Sequence, residues 1–149
     1  MRARNAFSLV ELLVVLALIG ILALSGYRAI RPVGAERSAR DYLRSVQSAR
    51  IAALAGTPTS VRWNAERQGF EVRFGATGCS GELQRVAAPL PRVAVTRRLR
   101  DGVAWLPDGS GRSCGGGGVY GGRVRFEDRG AAWEVVVAST GRLRIEVAP

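Results

Sequence analysis

The stretch FSLVELLVVLALIGILALSGY, residues 7–27, decides the architecture of the chain. From Phe7 to Leu24 it runs for 18 residues with a single charge, Glu11. As a helix at 1.5 Å per residue that run is about 27 Å long, close to the roughly 30 Å of hydrocarbon in a bilayer. Branched side chains dominate it, but it is far longer than any ordinary strand. Residues 1–6, Met-Arg-Ala-Arg-Asn-Ala, are short, polar and basic. Two plain readings fit such a start: a secretory signal with Arg2 and Arg4 as its basic region and a cleavage point near Ala23–Ser25, or a membrane anchor. Neither accounts for Glu11. A carboxylate inside an apolar spanning helix costs about 2.5–3.5 kcal/mol on insertion scales unless it is neutralised or paired.

Beyond the apolar run, Pro32 and Gly34 interrupt the helical pattern and predict a kink. Glu36 to Ala55 then reads as an amphipathic helix, with Ala39, Leu43, Val46 and Leu54 at helical spacing and Tyr42 and Ala53 widening the stripe. Arg37, Arg40, Arg44 and Arg50 fall on its remaining faces, read as solvated. Gly56 is the expected cap and Pro58 the stop. After Pro58 the period changes to two. Strands are predicted at 60–64, 70–74, 93–99, 103–106, 123–127, 133–138 and 142–147, punctuated by Gly, Pro and Asp. Trp63, Trp105 and Trp133 all lie in strand patterns and are expected in the core. The fold class is therefore α+β: a long N-terminal transmembrane helix, then a second amphipathic helix packed on antiparallel sheet.

Composition excludes a good deal of chemistry. The chain has 22 basic residues, every one of them Arg, against 12 acidic residues. Without His there is no Ser-His or Cys-His nucleophile pair and no imidazole metal ligand. Without Lys there is no Schiff base and no phosphate-loop lysine. Two cysteines cannot complete a structural zinc site, and no pair of carboxylates stands out by spacing. No catalytic residue, metal, cofactor or small-molecule substrate is expected. From Ala35 onward there are 18 Arg and 11 acids, a balance of about +7. That excess suits an acidic partner or an anionic surface, although Arg in place of Lys is also a genome-wide compositional habit.

Residues 75–82 and 107–122 read as Gly-rich loops, each holding one cysteine, Cys79 and Cys114. The run GSGRSCGGGG lacks the Gly-Lys-Ser/Thr ending of a phosphate loop. The chain closes on STGRLRIEVAP, where Arg142, Arg144 and Glu146 alternate with Leu143, Ile145 and Val147. GGRVRFED repeats the pattern with Arg123, Arg125 and Glu127. If these two strands flank 133–138 in a meander, they stand about 10 Å apart, with Val124, Phe126, Leu143 and Ile145 facing the core. All four arginines are then expected outward on one face. The plain reading is a solvated face neutralised by Glu127, Glu134 and Glu146. The sharper one is an anion site, since guanidinium forks match phosphate.

Ala6-Phe7-Ser8-Leu9-Val10-Glu11 and the apolar run after it resemble the processing and methylation motif of type IV prepilins and type II secretion pseudopilins. The resemblance implies that prepilin peptidase cuts between Ala6 and Phe7 and methylates the new amine. Glu11 becomes the carboxylate that meets the N-terminal amine of a neighbouring subunit during assembly. The family usually has Gly where this chain has Ala6, a residue small enough for the same position. The implied organisation is a leader at 1–6, a transmembrane and filament helix at 7–31, and a periplasmic pilin-like domain at 32–149. The implied location is the bacterial inner membrane, single-pass, with other pilins or pseudopilins as partners. The flanking charges Arg2, Arg4, Arg28 and Arg31 leave the positive-inside rule nearly silent.

ARDYLRSVQSARIAALAGTPTSVRWN is also similar to the minor pseudopilin H and FimT-like subfamily. Gly141-Arg142-Leu143-Arg144 resembles the Gly-Arg-x-Arg motif with which FimT-like minor pilins bind DNA in natural transformation. Two functions follow as expectations: a minor pilin that captures DNA through Arg142, Arg144, Arg123, Arg125 and Gly141, or a structural H-type pseudopilin of a secretion system that binds no nucleic acid. In an exported domain Cys79 and Cys114 are expected to pair, closing a loop of about 36 residues worth roughly 3–4 kcal/mol.

Overall fold

The computed structural model of the protein describes residues 9–29, 33–77, 79–97, 102–115, 121–138 and 140–149. The chain divides into two compact units, Met1–Arg31 and Pro32–Pro149. The first holds helix α1, Leu9–Ala29. Its side chains from Leu9 to Leu22 are all exposed, large apolar ones such as Leu9 and Leu22 included. A helix that is apolar all round needs apolar surroundings on every side. The expected spanning run begins at Phe7 and Ser8, which lie outside the described residues. Among the described residues no helix is long and apolar enough to cross a membrane.

The second unit opens with helix α2, Val33–Leu54. It starts earlier than the expected Glu36, with Gly34 in its first turn. A Cβ on Gly34 would stand 2.5 Å from Oδ2 of Asp128, so any larger residue here would have to displace that carboxylate. Pro32 lies outside the described residues. The buried stripe is Ala35, Ala39, Tyr42, Val46, Ala49 and Ala53. It differs from the expected one: Leu54 is exposed and Leu43 only half-buried. Small residues fill most of the stripe because the sheets supply the bulk, and the helix backbone approaches them closely. At the C-terminus the Gly56 N–H donates to the Ala53 carbonyl at 2.9 Å and the Thr57 N–H to Ala52 at 3.1 Å. With φ of +96° at Gly56, this is a Schellman cap, which glycine adopts without a Cβ penalty.

Among the described residues nine strands follow: β1 Thr59–Asn64, β2 Gly69–Thr77, β3 Ser80–Ala87, β4 Ala94–Arg97, β5 Val103–Trp105, β6 Gly111–Ser113, β7 Gly122–Asp128, β8 Ala131–Val137 and β9 Leu143–Ala148. One sheet has the order β3-β2-β1-β5-β6 and the other β4-β7-β8-β9, with every pairing antiparallel. The α+β class and the β7-β8-β9 meander agree with the sequence reading. β3 and β6 do not. The segments read as loops at 75–82 and 107–122 contribute the end of β2, the start of β3 and all of β6. Both missed strands are edges, and β3 alternates only between exposed and half-buried residues, so neither displays an apolar face.

α2 lies over the seam of the two sheets, and Tyr42 shows how. Its ring centroid is 4.1 Å from Phe70 of one sheet and 5.8 Å from Phe126 of the other. Trp105 is fully buried, while Trp63 and Trp133 are partly buried against the same core. Two polar links reinforce the packing: Thr59 donates its hydroxyl to the Ala49 carbonyl, and the Leu90 N–H donates to Ser38 Oγ at 3.0 Å.

Candidate functional site

Ala6 and Phe7, where cleavage is expected, lie outside the described residues. Glu11 stands in the first turn of α1, exposed among exposed leucines and valines. A carboxylate there faces the positive end of the helix dipole, and Glu11 is the one acidic side chain in α1.

The expected arginine face is only partly assembled. Arg123 and Arg144 both pair with Val136, one from each side, so they face outward two strand spacings apart, about 10 Å. Arg125 and Glu146 flank Glu134 in the next row. Each of these arginines already has a carboxylate near it: Arg123 meets Glu134 at 3.4 Å, Arg125 meets Glu127 at 3.4 Å and Arg144 meets Glu146 at 3.4 Å. These are exposed or half-exposed pairs, worth about 0–1 kcal/mol apiece, and they reduce the net positive field. Arg142 is elsewhere. It precedes β9 and lines a groove with Gln47, Arg50, Ile51, Leu54 and Leu143, whereas Arg123 and Arg125 line another with Thr96 and Glu134. The expectation that all four arginines share one face is therefore corrected: Arg142, just before β9, lies beside α2.

Gly141 has a backbone role. Its φ is +79°, and an added Cβ would sit 3.3 Å from the Trp105 ring. Its carbonyl accepts a bond from Arg50 Nη1 at 3.0 Å, and the Arg50 guanidinium lies 5.4 Å from the Trp105 ring centroid. Arg50 was expected on a solvated face. Instead it is half-buried and ties α2 to the turn before β9.

Sequence reasoning missed Glu71 altogether. It is 1% exposed on the face of β2 turned away from α2. It accepts bonds from Arg73 Nη2 at 2.9 Å, Asn64 Nδ2 at 2.7 Å and Arg62 Nε at 3.2 Å, and Arg67 lies at 3.8 Å. Burial pushes its pKa up, but the bonds from Arg73, Asn64 and Arg62 outweigh that and hold it below the ordinary value. The signal was available: a hairpin closing over 65–68 sets Arg62 opposite Glu71.

Cys79 and Cys114 form a disulfide with their Cα atoms 5.3 Å apart. Cys79 is buried in the β2–β3 turn and Cys114 follows β6, so the bridge joins the tip of one hairpin to the end of another. Among the described residues no cluster of His, Cys, Asp or Glu could hold a metal ion.

The family model for the prokaryotic N-terminal methylation motif matches residues 1–27. Among solved structures, the chain is similar to the minor pseudopilin EpsH from the Type 2 Secretion System of Vibrio cholerae. The TM-score is 0.61 at 13% identity, over 76% of this chain and 97% of that one. No curated protein sequence matches. The chain thus opens on a stretch that matches this methylation motif and shares its fold with that minor pseudopilin.

Proposed function

We propose that this protein is a minor pseudopilin, a structural subunit of a filament machine of the type II secretion and type IV pilus kind. Residues 1–6 serve as leader, 7–31 as the inner-membrane and filament helix, and 32–149 as the periplasmic domain. The observation that carries the reading is the position of Glu11: one carboxylate in the first turn of an apolar helix, within a matched methylation motif. Cleavage before Phe7 creates a new amine at the end of each subunit. A neighbour's amine brought to Glu11 compensates a charge that is otherwise costly in an apolar setting, so assembly and burial of the acid support each other. The reading assigns no catalytic role, cofactor or small-molecule substrate. Chemical cross-linking in the native envelope, followed by mass spectrometry, tests it: cross-links to other proteins bearing the same motif are expected, and their absence would count against it.

Of the two machines, secretion has the stronger support, because Arg123, Arg125 and Arg144 are each neutralised by a glutamate. DNA capture in transformation is the second reading, favoured by Arg123 and Arg144 standing together on either side of Val136. Phosphate contacts there would show as sequence-independent duplex binding. Changing Arg123 and Arg144 to Gln would then lower the log–log salt slope by about 0.9 per lost contact. An equal loss of binding on changing Arg37 and Arg40 would reduce the effect to net charge. No binding at low salt would remove the DNA reading.

A further inference from the structure

The groove holding Arg142 has the composition of a peptide-binding site. It encloses about 420 Å³ between the C-terminal half of α2 and the start of β9. Ile51 and Leu54, 67% and 55% exposed, give it an apolar wall, and Leu143 forms the opposite side. Its charged lining residues are Arg50 and Arg142, with no acid among them, and neither arginine forms an ion pair among the described residues. Arg50 already spends one nitrogen on the Gly141 carbonyl, while its buried Nε has no acceptor. Arg142 is exposed and engaged with no side chain that the described residues supply.

β9 adds a second feature. Among the described residues its sole strand neighbour is β8, so no strand pairs with its other edge. The Ala138 N–H donates to the Arg142 carbonyl at 2.9 Å. In an antiparallel ladder, bonded and non-bonded pairs alternate. The residues turned toward β8 are then Arg142, Arg144 and Glu146, which leaves the N–H and C=O groups of Leu143, Ile145 and Val147 on that other edge. An edge without a strand neighbour, beside a helix, is the arrangement in which an extended segment can add as a strand and drop alternate side chains into the groove.

We propose that this groove binds an extended segment of another polypeptide, paired as a strand along β9. Its apolar side chain packs on Ile51, Leu54 and Leu143, and a carboxylate lies at Arg142. The charge of the lining sets the choice of partner: two arginines without an acid suit a carboxylate, and the apolar wall and single exposed guanidinium suit a peptide better than a phosphate backbone. The site stands whether the filament belongs to secretion or to a pilus.

The test pans a display library of random ten-residue peptides against the full chain in lipid nanodiscs. Counter-selection uses the same chain carrying Leu54→Glu and Arg142→Gln, both at exposed positions, once circular dichroism shows that it folds. Enriched peptides are expected to place an acid among alternating apolar residues, and to lose about tenfold in affinity on Arg142→Gln alone, the loss of one charged hydrogen bond. They should also slow hydrogen exchange at the amides of Leu143, Ile145 and Val147. Lack of enrichment over the counter-selected chain overturns the proposal, as does binding that leaves those three amides unprotected. Duplex DNA binding that depends on Arg142, with no acidic peptide selected, makes the groove a nucleic-acid contact and equally overturns it.

Discussion

Arg50 lies across the Trp105 ring, 5.4 Å from its centroid, while it donates to the backbone carbonyl of Gly141 at 3.0 Å. This arrangement gives the Gly-Arg-Leu-Arg segment a structural reason for its glycine. The turn presses against Trp105, and its φ of +79° together with the close ring favours a residue without Cβ. Gly141→Ala is expected to cost about 1–2 kcal/mol, the price of a left-handed backbone for an L residue. Arg142→Gln, at an exposed position, should stay within about 0.5 kcal/mol. Urea unfolding followed by tryptophan fluorescence checks both, and equal effects from the two changes would contradict the role given to Gly141.

Glu71 predicts part of the acid response. Its folded pKa lies below the ordinary 4.5 of the unfolded chain, so the unfolded chain binds the proton first as pH falls. The stability it contributes is complete above about pH 4.5 and is lost as pH drops through the lowered folded value. Glu71→Gln should cost about 2–3 kcal/mol at pH 7, since it removes charged hydrogen bonds from a buried site. The variant should also lose less stability than the parent between pH 5 and the acid limit. Denaturation midpoints measured across that range decide the matter; parallel curves for the two proteins would show that Glu71 is not responsible.

The disulfide joins two segments that sequence patterns left as loops. Protein purified from the envelope without reductant should yield a peptide pair linking Cys79 to Cys114. Reduction should lower stability by roughly 3–4 kcal/mol, the chain-entropy value for a loop of this length. Two free thiols in the unreduced protein would contradict the pairing.

The parts of the fold legible in sequence were those with an apolar period. α2 showed its spacing, and β7 and β9 showed alternation clean enough to place Val124 and Phe126 inward. What stayed hidden has local causes. β3 has no buried face, and β6 is three residues of an edge. The stripe of α2 was misjudged toward Leu54 because the alanines at 35 and 49 carry little hydrophobic signal, yet both are fully buried against the sheets. The arginine face was legible in the strands, where alternation fixes direction, and failed at Arg142, where a turn governs. Arg50 depends on a partner 91 residues away, which no local pattern announces, whereas the Arg62–Glu71 pair follows only once the hairpin over 65–68 is put in register.

Glu11→Val tests the assembly role. Removing the acid makes the helix cheaper to insert, by about 3 kcal/mol on insertion scales, so membrane fractions should retain the variant fully. Its recovery in sheared or cross-linked filaments should fall to background. Normal incorporation would show that the carboxylate has no part in assembly.

The most direct measurement of the central claim is the intact mass of the membrane-purified protein. A pilin-like subunit processed at its methylation motif should lack residues 1–6 and begin with a methylated Phe7. An N-terminus at Met1 would show that the motif is not processed. One at Gly26 would show an ordinary secretory signal, and either result would contradict the assignment.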